Sequence, residues 1–325
     1  MREDTGNLQT ARKSVRLLDA TMRDGGIVNA FAFSDKFAES LYRTNVAAGV
    51  DIMEFGYKAS EKMFDAAKFG KWKFCKEDDI RGIVGENKTD MKIAVMADVG
   101  RVDLKEAVTD KNNSVIDIYR IAAYLNQIPS ALEMAEYCHN KGYMTALNIM
   151  AISKNQESDL KRALEEAGKS PVDVIYIVDS FGSLYPEEIR RVGEIYLETG
   201  DKYNKQIGMH AHNNQQLAFA NTIEACALGV NYLDSTMAGM GRGAGNCHTE
   251  AMLGFLKNPK YRIEPALLFL KEFMNPLKET GVTWGYDVPY LLTGLFNAHP
   301  SAAIEFIKSN RDDYVGFLNG LLDID

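Results

Sequence analysis

The chain has 325 residues, a formal net charge of −8 and 46% hydrophobic residues, which is the composition of an ordinary soluble globular protein. The acidic balance argues against nucleic acid or an anionic membrane as the main partner, and no apolar run approaches the ~20 residues of a membrane span. The N-terminal residues lack the apolar core of a signal peptide, so we expect a cytoplasmic protein. Four scattered cysteines without a CxxC pair predict reduced thiols rather than disulfides or a zinc site.

Short β-rich runs recur along the chain at a spacing of roughly 25 to 35 residues. Several of them are almost continuously apolar, as parallel strands covered on both faces are. The eight runs are residues 14–20, 50–57, 91–98, 114–123, 142–151, 172–180, 205–212 and 230–237.

Segments with helical character separate these runs. Three of them have a predicted capping residue at the start and a glycine at the end, namely Ser34 and Gly49, Ser130 and Gly142, and Asn213 and Gly229. Eight strand–helix repeats predict an α/β fold, a (β/α)8 TIM barrel over residues 14–255, with a doubly wound sheet as the main alternative. Residues 1–13 are then a leader, and residues 256–325, where the strand signal stops, a C-terminal helical extension.

Two histidines stand one residue apart at the end of the seventh run. Alternate strand residues point to the same side, so His210 and His212 can converge on one point at the barrel mouth. Such a pair is typical of a metal site, although two hydrogen-bonding histidines would fit the same pattern. A carboxylate would complete a site for Mn²⁺, Fe²⁺ or Mg²⁺, with Zn²⁺ tolerated. The candidate carboxylates are Asp19, Asp24, Glu54 and Asp179.

A glycine-rich stretch, GMGRGAGN at residues 239–246, follows the last run. Its spacing fits neither the P-loop nor the dinucleotide-binding pattern, so a phosphate site is the weaker interpretation. Glycines allow close backbone approach, which favours a tight loop that closes over the metal site. Asn246 could then orient or supply a ligand.

Three motifs in this order carry a family resemblance: DATMRDGG at 19–26, HAHNN at 210–214 and GMGRGAGNCHTE at 239–250. Together they resemble the DRE-TIM metallolyase superfamily over about residues 14–255. The resemblance implies a divalent-metal cofactor, Mn²⁺ or Mg²⁺ by preference. It also implies roles for individual side chains: metal ligands Asp24, His210 and His212, the catalytic arginine Arg23 at the enolate oxygen, and Asn246 at the substrate or metal.

Asp179-Ser180 resembles the motif with which the 4-hydroxy-2-oxovalerate aldolases help to hold pyruvate through the serine. This implies a class II aldolase that cleaves or forms a C–C bond of a 4-hydroxy-2-oxoacid, through a metal-stabilised pyruvate enolate. A Claisen-type acyltransferase using acetyl-CoA and a 2-oxoacid, and a catalytically altered metal-binding barrel, are the alternatives. The expected partners are a small-molecule 2-oxoacid and further copies of the chain. A dehydrogenase partner is doubtful, because the C-terminal sequence differs from that of the aldolases that have one.

One departure from the aldolase pattern concerns the catalytic base. The aldolases carry a histidine soon after the RDG motif, whereas here GGIVNAF occupies residues 25–31. A metal-bound hydroxide or one of the side chains Glu54, Tyr286 and Tyr290 would have to replace it. Of these, Tyr290 is the predicted catalytic residue.

Overall fold

The computed structural model describes residues 11–322, so most of the predicted leader, residues 1–13, lies outside the described residues. Eight parallel strands pair in chain order and β8 closes on β1, which confirms the (β/α)8 barrel over the doubly wound sheet. The strands are β1 (Arg16–Asp19), β2 (Ile52–Tyr57), β3 (Lys92–Asp98), β4 (Ile118–Ala123), β5 (Met144–Ile149), β6 (Val174–Asp179), β7 (Gln206–Ala211) and β8 (Tyr232–Ser235).

Helices follow the strands and surround the barrel. Those of the barrel are α1 (Thr21–Asp24), α2 (Asp35–Ala48), α3 (Glu77–Val84), α4 (Leu104–Ala107), α5 (Ile128–Asn140), α6 (Glu157–Lys169), α7 (Pro186–Tyr203), α8 (Ala218–Leu228) and α9 (Thr249–Phe255). Those of the C-terminal extension are α10 (Glu264–Phe269), α11 (Asn275–Glu279), α12 (Val288–Leu295), α13 (Ser301–Lys308) and α14 (Tyr314–Leu322), with a π-helical turn, Leu270–Met274, between α10 and α11. Within residues 11–322 no helix combines the length and the apolar character needed to cross a membrane.

The predicted helix caps are confirmed in part. The Ser34 hydroxyl accepts a hydrogen bond from the Phe37 amide at 3.2 Å, and Gly49 ends the helix in the left-handed region. Ser130 is wrong as an N-cap because α5 begins two residues earlier, with Pro129 in its first turn, where a missing N–H costs nothing. The prediction of Asn213 as an N-cap is also wrong, because α8 begins five residues later, at Ala218. The Asn213 side chain nevertheless accepts a hydrogen bond from the Ala218 amide.

The barrel interior has an apolar floor and a polar layer above it. Along β2 and β4, Ile52 and Ile118 belong to the floor, and the next inward positions are Glu54 and Arg120. Because strand side chains alternate between faces, these inward positions follow at every second residue. The Arg120 guanidinium rests on the Tyr176 ring at 4.3 Å. The charged side chains inside the barrel therefore lie nearer the carboxyl ends of the strands than the apolar layer does.

The C-terminal extension packs onto the carboxyl end of the barrel. Asn297 exchanges hydrogen bonds with Ser153 after β5 and accepts another from Ser183 after β6. Trp284 donates its indole N–H to the Ala238 carbonyl at 2.9 Å, beside the glycine-rich loop. This part of the extension therefore borders the barrel mouth, where barrel enzymes place their chemistry.

Candidate metal centre

A cavity of about 440 Å³ opens at the carboxyl ends of the strands. Residues in or after each of the eight strands line it, and the C-terminal extension adds His299. The predicted site residues that reach this cavity are Arg23, Asp24, Ser180, His210 and His212. Its volume lies in the range of ligand pockets, roughly 300–1,000 Å³.

Asp24, His210 and His212 form the one cluster, within the described part of the chain, whose side chains could jointly hold a metal ion. All three are buried, and one potential ligand atom from each lies within 4.8 Å of the others. Asp24 ends α1, directly after β1, whereas the histidines come from β7 and the residues that follow it. Since β8 alone separates β1 from β7 in the closed barrel, two short segments bring the cluster together.

The protonation states favour a cation at this point. Burial alone would raise the pKa of Asp24, but Arg23, His212 and His210 hold it well below its usual range. Burial lowers the pKa of His212 to about 3, so its ring is neutral and a lone pair is available. The pKa of His210 is raised despite burial, because the carboxylates of Asp234 and Asp24 lie beside its two ring nitrogens and favour a positive charge there.

A closed ring of buried charged side chains supports the cluster. Arg23 donates from Nη1 to Asp24 Oδ2 at 2.5 Å and from Nε to Glu54 Oε2 at 2.8 Å. Arg120 continues the ring, since it donates to Glu54 at 2.7 Å and to Asp234 at 2.5 Å. Asp234 lies 3.0 Å from His210 Nδ1, and His210 Nε2 faces Asp24 at 3.6 Å. We call these six side chains the charge ring: Arg23, Asp24, Glu54, Arg120, His210 and Asp234.

The charge ring fits a divalent cation. With His210 neutral, three carboxylates face two guanidinium groups, so one negative charge lacks a counterion in a buried site. His210 Nε2 is buried and has no hydrogen-bond partner, and it points at Asp24. The carboxylate of Asp234 on Nδ1 is the outer contact that typically orients a metal-binding imidazole.

The loop at 239–246 closes over this centre. Asn246 donates to Asp24 Oδ1 at 3.1 Å, and the Arg242 amide donates to the same oxygen at 3.1 Å. A Cβ at Gly241 would lie 2.0 Å from Asn246 Nδ2 and 2.6 Å from Asp24 Oδ1, so a glycine is needed at this contact. Asn246 does not line the cavity, but its Oδ1 is buried without a partner and lies close to the centre.

Ser180 lines the cavity directly after β6. Its hydroxyl accepts a hydrogen bond from the Ala151 amide at 2.8 Å, which leaves the hydroxyl hydrogen free to donate to a ligand. Arg242 donates from Nη2 to the Ser180 carbonyl at 3.1 Å and lines the same wall. This wall offers two donors for a carboxylate.

The structure does not bring the proposed replacement bases to the cavity. Glu54 is fully buried within the charge ring, and Tyr286 is 58% exposed on the surface. The Tyr290 ring lies against Gly243 and packs with the C-terminal helices, outside the cavity lining. Asp19 and Asp179, the other candidate carboxylates, accept hydrogen bonds from their own strand-end turns.

Sequence reasoning assigned no role to Lys73, Asp98 or His299, all of which line the cavity. The Ser301 amide donates to His299 Nδ1 at 3.1 Å, so the neutral ring carries its proton on Nε2. Asp98 could have been found from its place as the last residue of β3. Lys73 and His299 lie in loops without strand signals, so only the fold reveals them.

Comparison with known proteins agrees with this geometry. A model of the HMGL-like family matches residues 14–272. The chain is 28% identical to an oxaloacetate decarboxylase from Mycobacterium tuberculosis, over 90% of this chain and 85% of that protein. It is 27% identical to a 4-hydroxy-2-oxovalerate aldolase from Pelotomaculum thermopropionicum, over 77% of this chain and 72% of that protein.

Solved structures share the fold. The N-terminal domain of an aldolase candidate from Bacteroides vulgatus superposes with a TM-score of 0.74 at 25% identity, covering 90% of this chain and 96% of that one. The carboxyl transferase domain of Rhizobium etli pyruvate carboxylase superposes with a TM-score of 0.68 at 14% identity, covering 96% of this chain and 56% of that one. With its barrel, its strand-end cluster and a family match over most of its length, the chain belongs to the HMGL-like family.

Proposed function

We propose that this protein is a divalent-metal-dependent lyase. It cleaves a C–C bond of a 4-hydroxy-2-oxoacid to give pyruvate and an aldehyde, or forms this bond in the reverse reaction. The observation that carries the proposal is the cluster of Asp24, His210 and His212, which shares one cavity with Arg23. The names of the two relatives given above both specify a 2-oxoacid as substrate, which supports 2-oxoacids as the substrate class.

Asp24, His210 and His212 would hold the metal, with Mn²⁺ or Mg²⁺ preferred. Such a cation supplies Lewis acidity toward the carboxylate and keto oxygens of a 2-oxoacid. Arg23 is fixed by Asp24 and Glu54, so its guanidinium is pre-organised for negative charge that develops on the keto oxygen. Ser180 and Arg242 line the same cavity and would be donors to the substrate carboxylate.

Cleavage of a 4-hydroxy-2-oxoacid also needs a group that takes the proton of the 4-hydroxyl. Ile27 lines the cavity in the segment that would carry the histidine of the aldolases, and an isoleucine cannot accept a proton. Asp98 and His299 are the carboxylate and the imidazole that line the cavity outside the charge ring and the metal cluster. We therefore propose that a base, if one is used, comes from the β3 end or the C-terminal extension.

The presence of Ile27 where the aldolases carry a histidine favours a second candidate function. This function is decarboxylation of a 3-carboxy-2-oxoacid such as oxaloacetate. Loss of CO₂ breaks the C–C bond and leaves its electron pair on the pyruvate enolate, which then takes up one proton to give pyruvate. No hydroxyl has to be deprotonated, so this reaction does not need the missing base. The Mycobacterium tuberculosis relative is named for this activity.

Pyruvate release separates these functions. Purified protein, stripped with a chelator and reloaded with Mn²⁺ or Mg²⁺, is incubated with 4-hydroxy-2-oxovalerate and with oxaloacetate, and pyruvate is measured by NMR. We expect metal-dependent pyruvate formation that Asp24→Asn and His210→Ala abolish. Asp179→Asn, a matched change at another buried strand-end carboxylate, should retain it. Equal turnover in Asp24→Asn and wild type would refute the proposed site.

A further inference from the structure

Two cationic side chains at the cavity have no carboxylate partner within the described residues. Neither Lys73 nor Arg242 comes within 4.0 Å of a carboxylate oxygen in residues 11–322. Arg242 stands beside Ser180, next to the centre, where the carboxylate of a 2-oxoacid is expected. Lys73 lies on the other side of the cavity, in the turn Lys71–Lys73 after β2.

Four aromatic rings enclose the Lys73 ammonium. Its Nζ lies 4.5 Å from the ring centroids of Tyr57 and Phe64, 5.0 Å from Phe31 and 5.7 Å from Phe69. Ring faces attract a cation, but they accept hydrogen bonds only weakly. The enclosure therefore fixes the position of the ammonium and leaves its N–H groups available to the cavity. Only 8% of Lys73 is exposed.

The segment in place of the aldolase histidine builds this enclosure. Phe31 has a positive φ of 62°, and its ring lies against Gly26, where a Cβ would approach it to 2.2 Å. Gly70 makes room for the Phe31 carbonyl, which a Cβ would meet at 2.1 Å. The last residue of the GGIVNAF sequence thus places its aromatic ring against the Lys73 ammonium.

The remaining charges near Lys73 cancel one another. Asp98 pairs with Arg101 at 3.4 Å, and both line the cavity. Burial lowers the pKa of Lys73, Asp98 opposes this shift and Arg101 adds to it. An anion beside the ammonium would offset the loss of hydration that burial imposes. This wall therefore has the charge and the free donors of an anion subsite.

We propose that Lys73 binds an anionic group, a carboxylate or a phosphate, at the far end of the aldehyde half of the substrate. The proposal rests on the proposed lyase function and narrows its substrates to 4-hydroxy-2-oxoacids with a charged aldehyde fragment. Ser180 and Arg242 would bind the 2-oxoacid end, whereas the Lys73 ammonium lies against the Tyr57 ring in the part of the lining that follows β2. A cavity of about 440 Å³ has room for both ends.

The test compares charged and neutral aldehydes in the synthesis direction. Pyruvate is supplied with succinic semialdehyde, glyceraldehyde 3-phosphate or butanal, and kcat/KM is measured for wild type, Lys73→Met and Lys71→Met. The Lys71 variant removes one charge from the same turn, but this ammonium pairs with Asp35 and Asp79 at the surface. It is therefore a matched control for charge and fold.

We expect wild type to prefer a charged aldehyde over butanal. Lys73→Met should lower kcat/KM for that aldehyde at least about tenfold, as for loss of a charge-assisted hydrogen bond, with butanal unaffected. Which charged aldehyde responds identifies the group as carboxylate or phosphate. Equal losses for charged and neutral aldehydes, or none for either, would overturn the proposal.

Two further measurements separate this proposal from the proposed function. Exchange of the pyruvate methyl protons in D₂O reports enolate formation without any aldehyde, so its absence counts against the lyase function. Calorimetric titration with succinate and with inorganic phosphate reports the anion subsite without turnover. Binding of either anion that weakens at least about tenfold in Lys73→Met supports the subsite. Equal affinity in wild type and variant contradicts it.

Discussion

Asp234→Asn tests how far the carboxylate behind His210 determines metal affinity. Asp234 Oδ2 lies 3.0 Å from His210 Nδ1 and 2.5 Å from Arg120 Nη2. Asparagine keeps the shape of the side chain and an oxygen that can accept from His210 Nδ1, but it removes the negative charge that strengthens this contact and makes Nε2 a better ligand. Loss of such an outer contact typically weakens metal binding by about 10–100-fold, or roughly 1.4–2.7 kcal/mol.

Calorimetric titration of chelator-treated protein with Mn²⁺ measures this change directly. Asp179→Asn is the matched control, because Asp179 is equally buried but accepts hydrogen bonds from the Ser183 and Leu184 amides and lies outside the charge ring. Thermal unfolding in chelator establishes that each variant is folded. Mn²⁺ affinity in Asp234→Asn within about twofold of wild type, or an equal loss in the control, would refute the role given to Asp234.

Three further predictions concern the same strand ends. Mn²⁺ should raise the melting temperature of wild type, and Asp24→Asn should abolish this rise because it removes the only carboxylate of the cluster. Gly241→Ala should weaken Mn²⁺ binding at least about tenfold in the same titration, because its Cβ would displace Asn246 and the Asp24 carboxylate. Burial raises the pKa of Asp179 from 3.8 to about 7, so the folded protein keeps a proton that the unfolded chain has lost. Wild-type stability from this group therefore falls as pH rises from about 4 to 7, and Asp179→Asn should gain stability relative to wild type between pH 5 and pH 8 in thermal unfolding.

The barrel and the histidine pair could be predicted from the sequence because their signals are local, whereas only the family resemblance distinguishes Asp24 from the other three candidate carboxylates. Each strand is a short apolar run, and His210 and His212 are close neighbours whose direction follows from strand alternation. Two helix starts were predicted at the wrong residues. At Ser130 the helix begins earlier, with Pro129 in its first turn. The Asn213 side chain reaches the Ala218 amide, five residues ahead, so Asn213 precedes the helix without being its N-cap.

The charge ring could not be predicted in the same way. Arg120 meets Asp234, 114 residues away, only because of the register between strands and the closure of the barrel. The place of His299 depends on how the C-terminal extension packs, for which the sequence has no strand or motif signal. Long-range partners of this kind require the fold itself.

The charge ring also bears on how the strands find their partners. Shifting β4 by one residue would turn Arg120 outward into the apolar layer under the helices and leave Glu54 and Asp234 buried without a counterion. Breaking a buried pair in this way costs about 3–5 kcal/mol, a large part of the stability of a typical domain. The side chains proposed to hold the metal thus also select the correct strand register, so a misaligned barrel would lose its site and its stability together.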